Sequence, residues 1–239
     1  LWAIRLPRVC LGVIIGASLA VSGAALQGMF RNLLADPGLI GVSSGGALGA
    51  ATMIVLVPVS LVSLPAWASV LALPAAAFMG GLLATWVVYK LATRGGRTSV
   101  ATMLLAGIAI NALAGAGIGF LTVISDDAAL RSLTMWSLGS LSGGTWPVVA
   151  VVTPIVLLGA GRLMSEARAL NALLLGESEA RHLGVNVDAL KLRVVILSAL
   201  IVGVGVGFTG LIGFVGLVVP HMLRLAFGPD HRVVLPGSV

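Results

Sequence analysis

Few side chains in this sequence are suited to chemistry. The 239 residues include three histidines and one cysteine. There is no His-Glu-x-x-His motif, and the histidines and Cys10 lack the spacing of a metal site. His182 lies in a polar segment, His221 near the end of an apolar run, and His231 in the last polar loop. Each histidine is therefore predicted to be structural, and a single cysteine excludes an internal disulfide.

The sequence also lacks the glycine-rich Gly-x-x-x-x-Gly-Lys-Ser/Thr loop that cradles nucleotide phosphates. The chain is therefore not expected to hydrolyse ATP, and any energy must come from a partner. Two other classes remain as alternatives. An ion-gradient-driven transporter would need buried acids or a broken-helix ion site, and an intramembrane enzyme would need a nucleophile–base or metal pair within its spans. Neither is evident.

The most polar stretch, residues 165–193, holds four of the eight acids and four of the 14 Lys and Arg residues. The spacing predicts a helix over 167–175 with Leu170, Leu173 and Leu174 on one face. A second short helix over 177–183 follows the break at Gly176. Because the leucines need a partner, a docking surface for another protein is predicted. The alternative is a solvated loop.

Composition places these segments in a membrane protein. Hydrophobic residues make up 59% of the chain, charged residues 9%, and the mean hydropathy is +1.13, whereas soluble domains carry about 25% charged residues. Apolar runs of roughly 20 residues can cross a ~30 Å hydrocarbon core as helices. We therefore predict an all-α polytopic transmembrane bundle with about seven spans: Val9–Phe30, Leu39–Val57, Ala66–Tyr89, Ala101–Ile124, Trp146–Gly161, Leu192–Thr209 and Leu211–Phe227.

The basic residues predict the orientation of these spans. If the first span runs from outside to inside, 11 of the 14 Lys and Arg residues lie in inner loops. Arg5, Arg8 and Arg131 then lie outside, and the positive-inside rule favours this arrangement. Residues 125–145 are too polar for a span and are predicted to form an amphipathic helix at the outer surface, with acids at its N-terminus.

Glycine is abundant, at 32 residues. Four pairs have the small-xxx-small spacing that lets membrane helices approach closely, so these glycines are predicted to lie at helix contacts. The pairs are Gly12/Gly16, Gly45/Gly49, Gly115/Gly119 and Gly203/Gly207.

Five stretches resemble one family, the iron-chelate, haem and cobalamin permeases, which are the membrane subunits of type II ABC importers. They are Arg5–Arg8 (RLPR), SGAALQGMFRNLLADPGLIGVSSGGALGA at 22–50, LLAGIAINAL at 104–113, the polar loop at 165–191, and TGLIGFVGLVVPHMLRLAFGPDHRVVLPG at 209–237. The resemblance covers essentially the whole chain. Residues 124–141, ISDDAALRSLTMWSLGSL, are most similar to the haem (hemin) permeases.

The resemblance implies a role for three groups of residues. Arg5 and Arg8 match the outer arginines that receive acidic residues of a periplasmic binding protein. Two segments match the cytoplasmic gate, although Leu33 stands where the family usually has proline; the gate residues are Asn32, Leu34, Thr98 and Ser99. The third group matches the coupling helices that sit in a cleft of the ATPase, and consists of Gly176, Glu177, Ala180, Arg181, Leu183 and Gly184.

The resemblance further implies a single permease domain over residues 1–239, with a cytoplasmic coupling loop at 165–191. Such a chain would be a fragment, truncated at both ends, of a ten-span subunit in the bacterial inner membrane. The expected partners are a second permease copy, two ATP-binding cassette subunits that carry ATP-Mg, and a periplasmic binding protein. The expected substrate is haem, with a ferric siderophore or cobalamin as alternatives. No permanently bound cofactor, no metal site and no nucleic acid are expected.

Overall fold

The computed structural model describes residues 2–57 and 66–239, with side chains described outside 66–69. Within these residues the chain forms eleven α-helices, one 3-10 turn and a β-hairpin whose two strands have two residues each. The helices are α1 Arg5–Phe30, α2 Val42–Leu56, α3 Ala66–Ala92, α4 Val100–Ile124, α5 Asp127–Ser137, α6 Trp146–Ser165, α7 Ala167–Leu174, α8 Glu177–His182, α9 Val187–Thr209, α10 Val215–Phe227 and α11 His231–Gly237. The 3-10 turn is Pro37–Ile40, and the hairpin pairs β1 (Thr93–Arg94) with β2 (Arg97–Thr98).

The predicted all-α membrane class is confirmed. Five helices are long and apolar enough to cross a membrane by length and composition: α1, residues 70–92 of α3, α4, α6 and α9. The other two predicted spans are the shorter apolar helices α2 and α10, of 15 and 13 residues. At 1.5 Å per residue these two measure roughly 20 Å, less than the hydrocarbon core.

The last predicted span begins later than its apolar run. Leu211 was its expected first residue, but α9 ends at Thr209 and α10 starts only at Val215. Gly210 and Phe214 both have positive φ, 72° and 68°, so the backbone between them cannot continue a helix. The break therefore covers five residues rather than Gly210 alone.

Helices α1 and α9 form the centre of the bundle. Helix α1 packs against α6, α9 and α10, and α9 also packs against α2 and α3. Large apolar side chains such as Leu26, Met29 and Ile201 are fully buried there. The central pair thus joins the α2–α3–α4 layer to α6, α7, α10 and α11.

Glycines allow the closest approach between α2 and α3. A Cβ on Gly45 would overlap the carbonyl oxygen of Gly80, and one on Gly49 would overlap the carbonyl oxygen of Ala76. Only glycine permits this backbone contact, so the prediction for this pair is confirmed.

The other glycine pairs differ in whether they lie at a contact with another helix. In the pair at 203 and 207, Gly203 faces the ring of Phe78, and a Cβ on Gly207 would lie 2.8 Å from the Pro74 carbonyl oxygen, which confirms that pair. Nothing described lies within 4 Å of a Cβ on Gly115 or Gly119, or on Gly16. For these three glycines the predicted close contact is wrong within the part of the chain that the structure describes.

The amphipathic helix predicted within residues 125–145 is α5. The Asp126 carboxylate caps it by accepting from the Ala129 N–H at 2.7 Å, and Asp127 lies in its first turn. Leu133 is buried whereas Leu138 is exposed. Asp126 and Asp127 lie at the N-terminus of α5 as predicted, where their negative charge interacts favourably with the helix dipole.

Candidate coupling and gating site

The polar segment folds into the two short helices that its pattern predicts, α7 and α8. They are separated at Leu175 and Gly176, and Gly176 has φ +117°, a conformation that side chains rarely adopt. Leu170 and Leu173 are fully buried within the chain, on the helix that packs against α1 and α11. The prediction that these two leucines need an external partner is therefore wrong.

The apolar surface that this segment does expose lies elsewhere. Leu175 is 68% exposed, Leu183 is 63% exposed, and Leu174 at the end of α7 is 41% exposed. Leu33 and Leu34, in the loop after α1, are also exposed. The Arg31 guanidinium lies 4.0 Å from the position of a Cβ on Gly176, so the two loops are neighbours.

Helix α8 ends as its sequence predicts. Gly184 has φ +83°, its N–H donates to the Arg181 carbonyl, and the Val185 N–H donates to the Ala180 carbonyl. These two bonds make a Schellman motif, which satisfies the last carbonyls of a helix. Ala180 is fully buried and holds the inner face of α8 against the chain.

The charged residues of α8 bind partners on α9. Glu177 accepts from the Lys191 ammonium at 2.7 Å and lies 3.7 Å from Arg181. Arg181 in turn pairs with Asp188 at 3.1 Å. Lys191 is fully buried, although the other three side chains are partly exposed. Because a buried charge is costly unless it is paired and hydrogen-bonded, the pairing of Glu177 with Lys191 constrains α8.

The same network reaches the predicted gate residue Thr98. The Lys191 Nζ donates to the Thr98 carbonyl at 2.6 Å, and the Thr98 N–H donates to Asp188 Oδ1 at 2.9 Å. The Thr98 side chain is buried, and its hydroxyl lies 3.0 Å from that of Thr93. Thr98 is thus held by both its backbone groups. The structure brings one predicted gate residue and two of the predicted coupling residues, Glu177 and Arg181, into one network.

The remaining gate residues are local caps. The Ser99 hydroxyl accepts from the Thr102 N–H at 3.3 Å and so caps α4. The side-chain oxygen of Asn32, Oδ1, accepts from the Leu34 N–H at 3.0 Å and closes a turn in which Leu34 is 70% exposed. Asn32 and Leu34 have no hydrogen bond to Thr98 or Ser99 among the described residues, so the two gate segments are separate within one chain.

Arg5 and Arg8 lie at the other end of α1. Both are exposed near the start of this helix. The Arg8 backbone packs against Gly144, and Trp2 contacts Trp146 with ring centroids 6.4 Å apart. Because 26 helical residues extend about 39 Å, the arginines and the α7–α8 segment lie on opposite ends of the bundle.

The sequence pattern alone does not identify two groups of polar residues in this region. One is Lys191 with Asp188. The other is Glu166, which lies between α6 and α7 and binds Arg193 on α9. The available signal was charge balance: four acids and four bases lie in a segment that precedes an apolar helix. Their pairing depends on tertiary contacts, which a charge count does not contain.

One sequence pattern associated with nucleophilic serines occurs outside this region. Residues 41–45 have Gly-x-Ser-x-Gly spacing, which in hydrolases joins a strand to a helix. Here the segment joins the 3-10 turn to α2; the Ser44 hydroxyl donates to Asn111 Oδ1 at 2.5 Å, but the central serine of the pattern is Ser43. No histidine partner accompanies it among the described residues, which also hold no group of three His, Cys, Asp or Glu able to bind a metal.

The chain is similar to known proteins over its whole length. All residues from 1 to 239 match the model of the FecCD transport family. The Hemin transport system permease protein HmuU of Yersinia pestis is 49% identical over 235 residues, which cover 98% of this chain and 69% of that protein. The Cobalamin import system permease protein BtuC of Halobacterium salinarum is 46% identical, with 98% of this chain and 61% of that protein covered.

A solved structure has a similar fold. It is described as an inward-facing conformation of a metal-chelate type ABC transporter. The TM-score is 0.88 at 33% sequence identity, and the match covers 99% of this chain and 74% of the other. The present chain therefore spans roughly 60–75% of the length of these relatives.

Proposed function

This chain belongs to the FecCD transport family, and we propose that it is the membrane-spanning permease subunit of a binding-protein-dependent ABC importer for haem. The observation that carries the proposal is the separation of two features along α1. Exposed arginines lie at one end, and a compact polar segment with exposed leucines lies at the other. An importer needs both, one for a donor protein and one for a source of energy.

The outer end is suited to an acidic partner. Arg5 and Arg8 are exposed, and neither forms a salt bridge within the described residues. Unpaired arginines can steer and orient an acidic protein surface. We assign this surface to a substrate-loaded binding protein on the periplasmic side of the bacterial inner membrane.

The inner end is suited to an ATPase. Leu175 and Leu183 form an exposed apolar surface around α8, while Ala180 and Glu177 hold the helix from behind. Apolar side chains at the centre with charges around them are typical of protein interfaces. ATP-Mg would be bound and hydrolysed by two ATP-binding cassette subunits docked here. Their closure would displace the 165–191 coupling loop and switch a permease homodimer between outward-open and inward-open states.

Haem is the preferred substrate because the relative with 49% identity is a hemin permease. Cobalamin is the second candidate, and the 46% identity to a cobalamin permease supports it. A ferric siderophore is a third, in line with the metal-chelate type of the structural relative. All three are large chelates, which a permease must contact weakly if it is to release them.

The test is uptake by proteoliposomes that hold the complete permease, its ATPase and its binding protein. Binding protein is added outside with haem, cobalamin, a ferric siderophore or no load, and ATP or a non-hydrolysable analogue is enclosed. The proposal predicts haem uptake that requires hydrolysable ATP. Uptake of cobalamin or siderophore alone would keep the importer but reject haem, and uptake without ATP would favour an ion-driven transporter.

A further inference from the structure

Lys191 connects two separate segments, one of which is 93 residues away from it in sequence. Its ammonium donates to the Thr98 carbonyl at 2.6 Å and to Glu177 Oε1 at 2.7 Å, and the side chain is fully buried. An ammonium has three donors, and these two bonds point to different structural elements. One is the hairpin before α4, and the other is α8.

Asp188 makes a second connection between the same two elements. It lies one turn before Lys191 on α9, and its carboxylate accepts from the Thr98 N–H at 2.9 Å and from the Arg181 guanidinium at 3.1 Å. The 3.7 Å pair between Arg181 and Glu177 closes the ring. Each backbone group of Thr98 is therefore bound to an α9 side chain that also binds α8.

The hairpin's other contacts join it to α3, which it directly continues: the Thr98 hydroxyl donates to the Tyr89 hydroxyl at 3.4 Å, and the Ser99 N–H donates to the Ala92 carbonyl at 3.0 Å. The hairpin consists of two residue pairs, and a hairpin of this size is not stable alone. Gly95 and Gly96 at its tip are exposed, and no atom of the described residues lies within 4 Å of the position that a Cβ would take on either glycine. Ser99, directly after it, caps α4. Any movement of Thr98 is therefore passed to the first turn of a long membrane helix.

We propose that Lys191 and Asp188 clamp α8 to the Thr93–Thr98 hairpin, so that displacement of α8 moves the start of α4 with it. Both are positioning residues, and the assignment rests on the proposed importer function. Stability alone is a weak reason for this lysine, because replacing a buried ion pair with apolar residues of similar size is often neutral or stabilising. A charge that binds two elements at once instead fixes their relative position.

The first test measures the clamp without transport. Spin labels are placed on the complete permease in lipid at Leu183 and Arg94, which are both exposed, in a background where Cys10 is serine. Labelled copies are diluted with unlabelled ones so that distances within one copy dominate. The proposal predicts a narrow distance distribution that broadens in Lys191→Met. An unchanged distribution in Lys191→Met would overturn it.

Two further variants separate the clamp from general loosening. Arg193→Met removes an ion pair two residues along the same helix, but Arg193 binds Glu166 rather than α8 or the hairpin. It is expected to leave the distribution narrow, and equal broadening would overturn the proposal. The charge swap Glu177→Lys with Lys191→Glu restores an ion pair but not a donor for the Thr98 carbonyl. It is expected to stay broad, and a narrow distribution would overturn the proposal, because the ion pair alone would then hold the two elements together.

The second test measures the consequence for transport. In the reconstituted importer, Lys191→Met is expected to keep ATP hydrolysis while substrate transported per ATP falls at least about fivefold, the lower end of typical coupling between sites. Unchanged transport per ATP would overturn the proposed role. If the wild-type complex shows no ATP-dependent transport, the importer function fails, and the spin-label result still decides whether the clamp exists.

Discussion

The Glu166 carboxylate accepts two hydrogen bonds from the Arg193 guanidinium, at 2.8 Å from Nε and 3.1 Å from Nη2. Glu166 lies at the junction of α6 and α7, and its side chain is 8% exposed. This bidentate pair ties the start of the coupling loop to α9. The Lys191 and Asp188 contacts tie the end of the same loop to the same helix, so the loop is anchored at both ends.

Removing Arg193 is expected to destabilise the protein. In Arg193→Met, Glu166 stays buried, and its one remaining ionic partner among the described residues is Arg162, 4.0 Å away. Because Arg193 is 40% exposed, the expected loss is about 1–2 kcal/mol, below the value for a fully buried pair. Thermal unfolding in detergent measures it. Arg162→Met is the matched control with a loss under about 0.5 kcal/mol, and equal losses would contradict the pairing.

The glycine contacts predict different effects of the same substitution. In Gly49→Ala the new methyl group would overlap the Ala76 carbonyl, whereas in Gly115→Ala it meets open space. Alanine favours the helix equally in both, so the difference reports packing. Gly49→Ala is expected to lower stability by about 1–3 kcal/mol, and Gly115→Ala to leave it unchanged or slightly higher. Unfolding in detergent that shows equal losses would refute the α2–α3 contact.

His231 predicts a loss of stability in mild acid. Its Nδ1 lies 2.8 Å from Asn171 Oδ1, which also accepts from the His231 N–H, so Nδ1 carries the proton. Nε2 is buried without a hydrogen-bond partner among the described residues. Burial, with the nearby charge of Arg224, lowers the pKa of His231 to about 4 from its usual 6.5.

The protein loses stability in acid because His231 binds a proton more readily in the unfolded state than in the folded state. The stabilisation is fully present above pH 6.5 and is lost as the pH falls toward 4. It amounts to roughly 3 kcal/mol at about 1.4 kcal/mol for each pKa unit. Unfolding midpoints between these pH values are expected to fall more steeply in wild type than in His231→Asn. Parallel slopes would rule out His231 as the cause.

The two outer arginines are predicted to act on association. In Arg5→Glu with Arg8→Glu, loss of electrostatic attraction is expected to slow binding of the loaded binding protein about tenfold at low salt. The difference should shrink at high salt because exposed charges are screened. Arg131→Glu, an exposed arginine on α5, is the control. Surface plasmon resonance on permease in nanodiscs gives the rates, and equal slowing in the control would argue against a specific site.

The periodicity of the sequence predicts where helices form, but it does not predict which surfaces those helices contact. The leucine spacing in 167–175 correctly predicted α7 and its apolar face, but Leu170 and Leu173 face the chain's own helices rather than a partner. A helical period identifies a buried face and does not identify what covers it. Likewise, the spacing of Gly115 and Gly119 is the same as that of Gly45 and Gly49, yet only the latter pair meets another helix.

The family resemblance identifies single functional residues, but it does not identify the residue that connects them in the structure. The resemblance assigns Glu177 to coupling and Thr98 to the gate, and it assigns no role to Lys191, which binds both of them in the structure. The contact joins residues 93 apart. Its partner is moreover a backbone carbonyl, which no side-chain pattern records.

We infer that ATP hydrolysis on a partner is coupled to this chain through α8. We would measure the ATPase rate of the complete importer in proteoliposomes with haem-loaded, cobalamin-loaded, siderophore-loaded and empty binding protein. We expect the haem-loaded form to stimulate the rate, and we expect that stimulation to be lost in Glu177→Arg, which places an arginine against Lys191. No stimulation by any loaded form, or full stimulation in the variant, would contradict it.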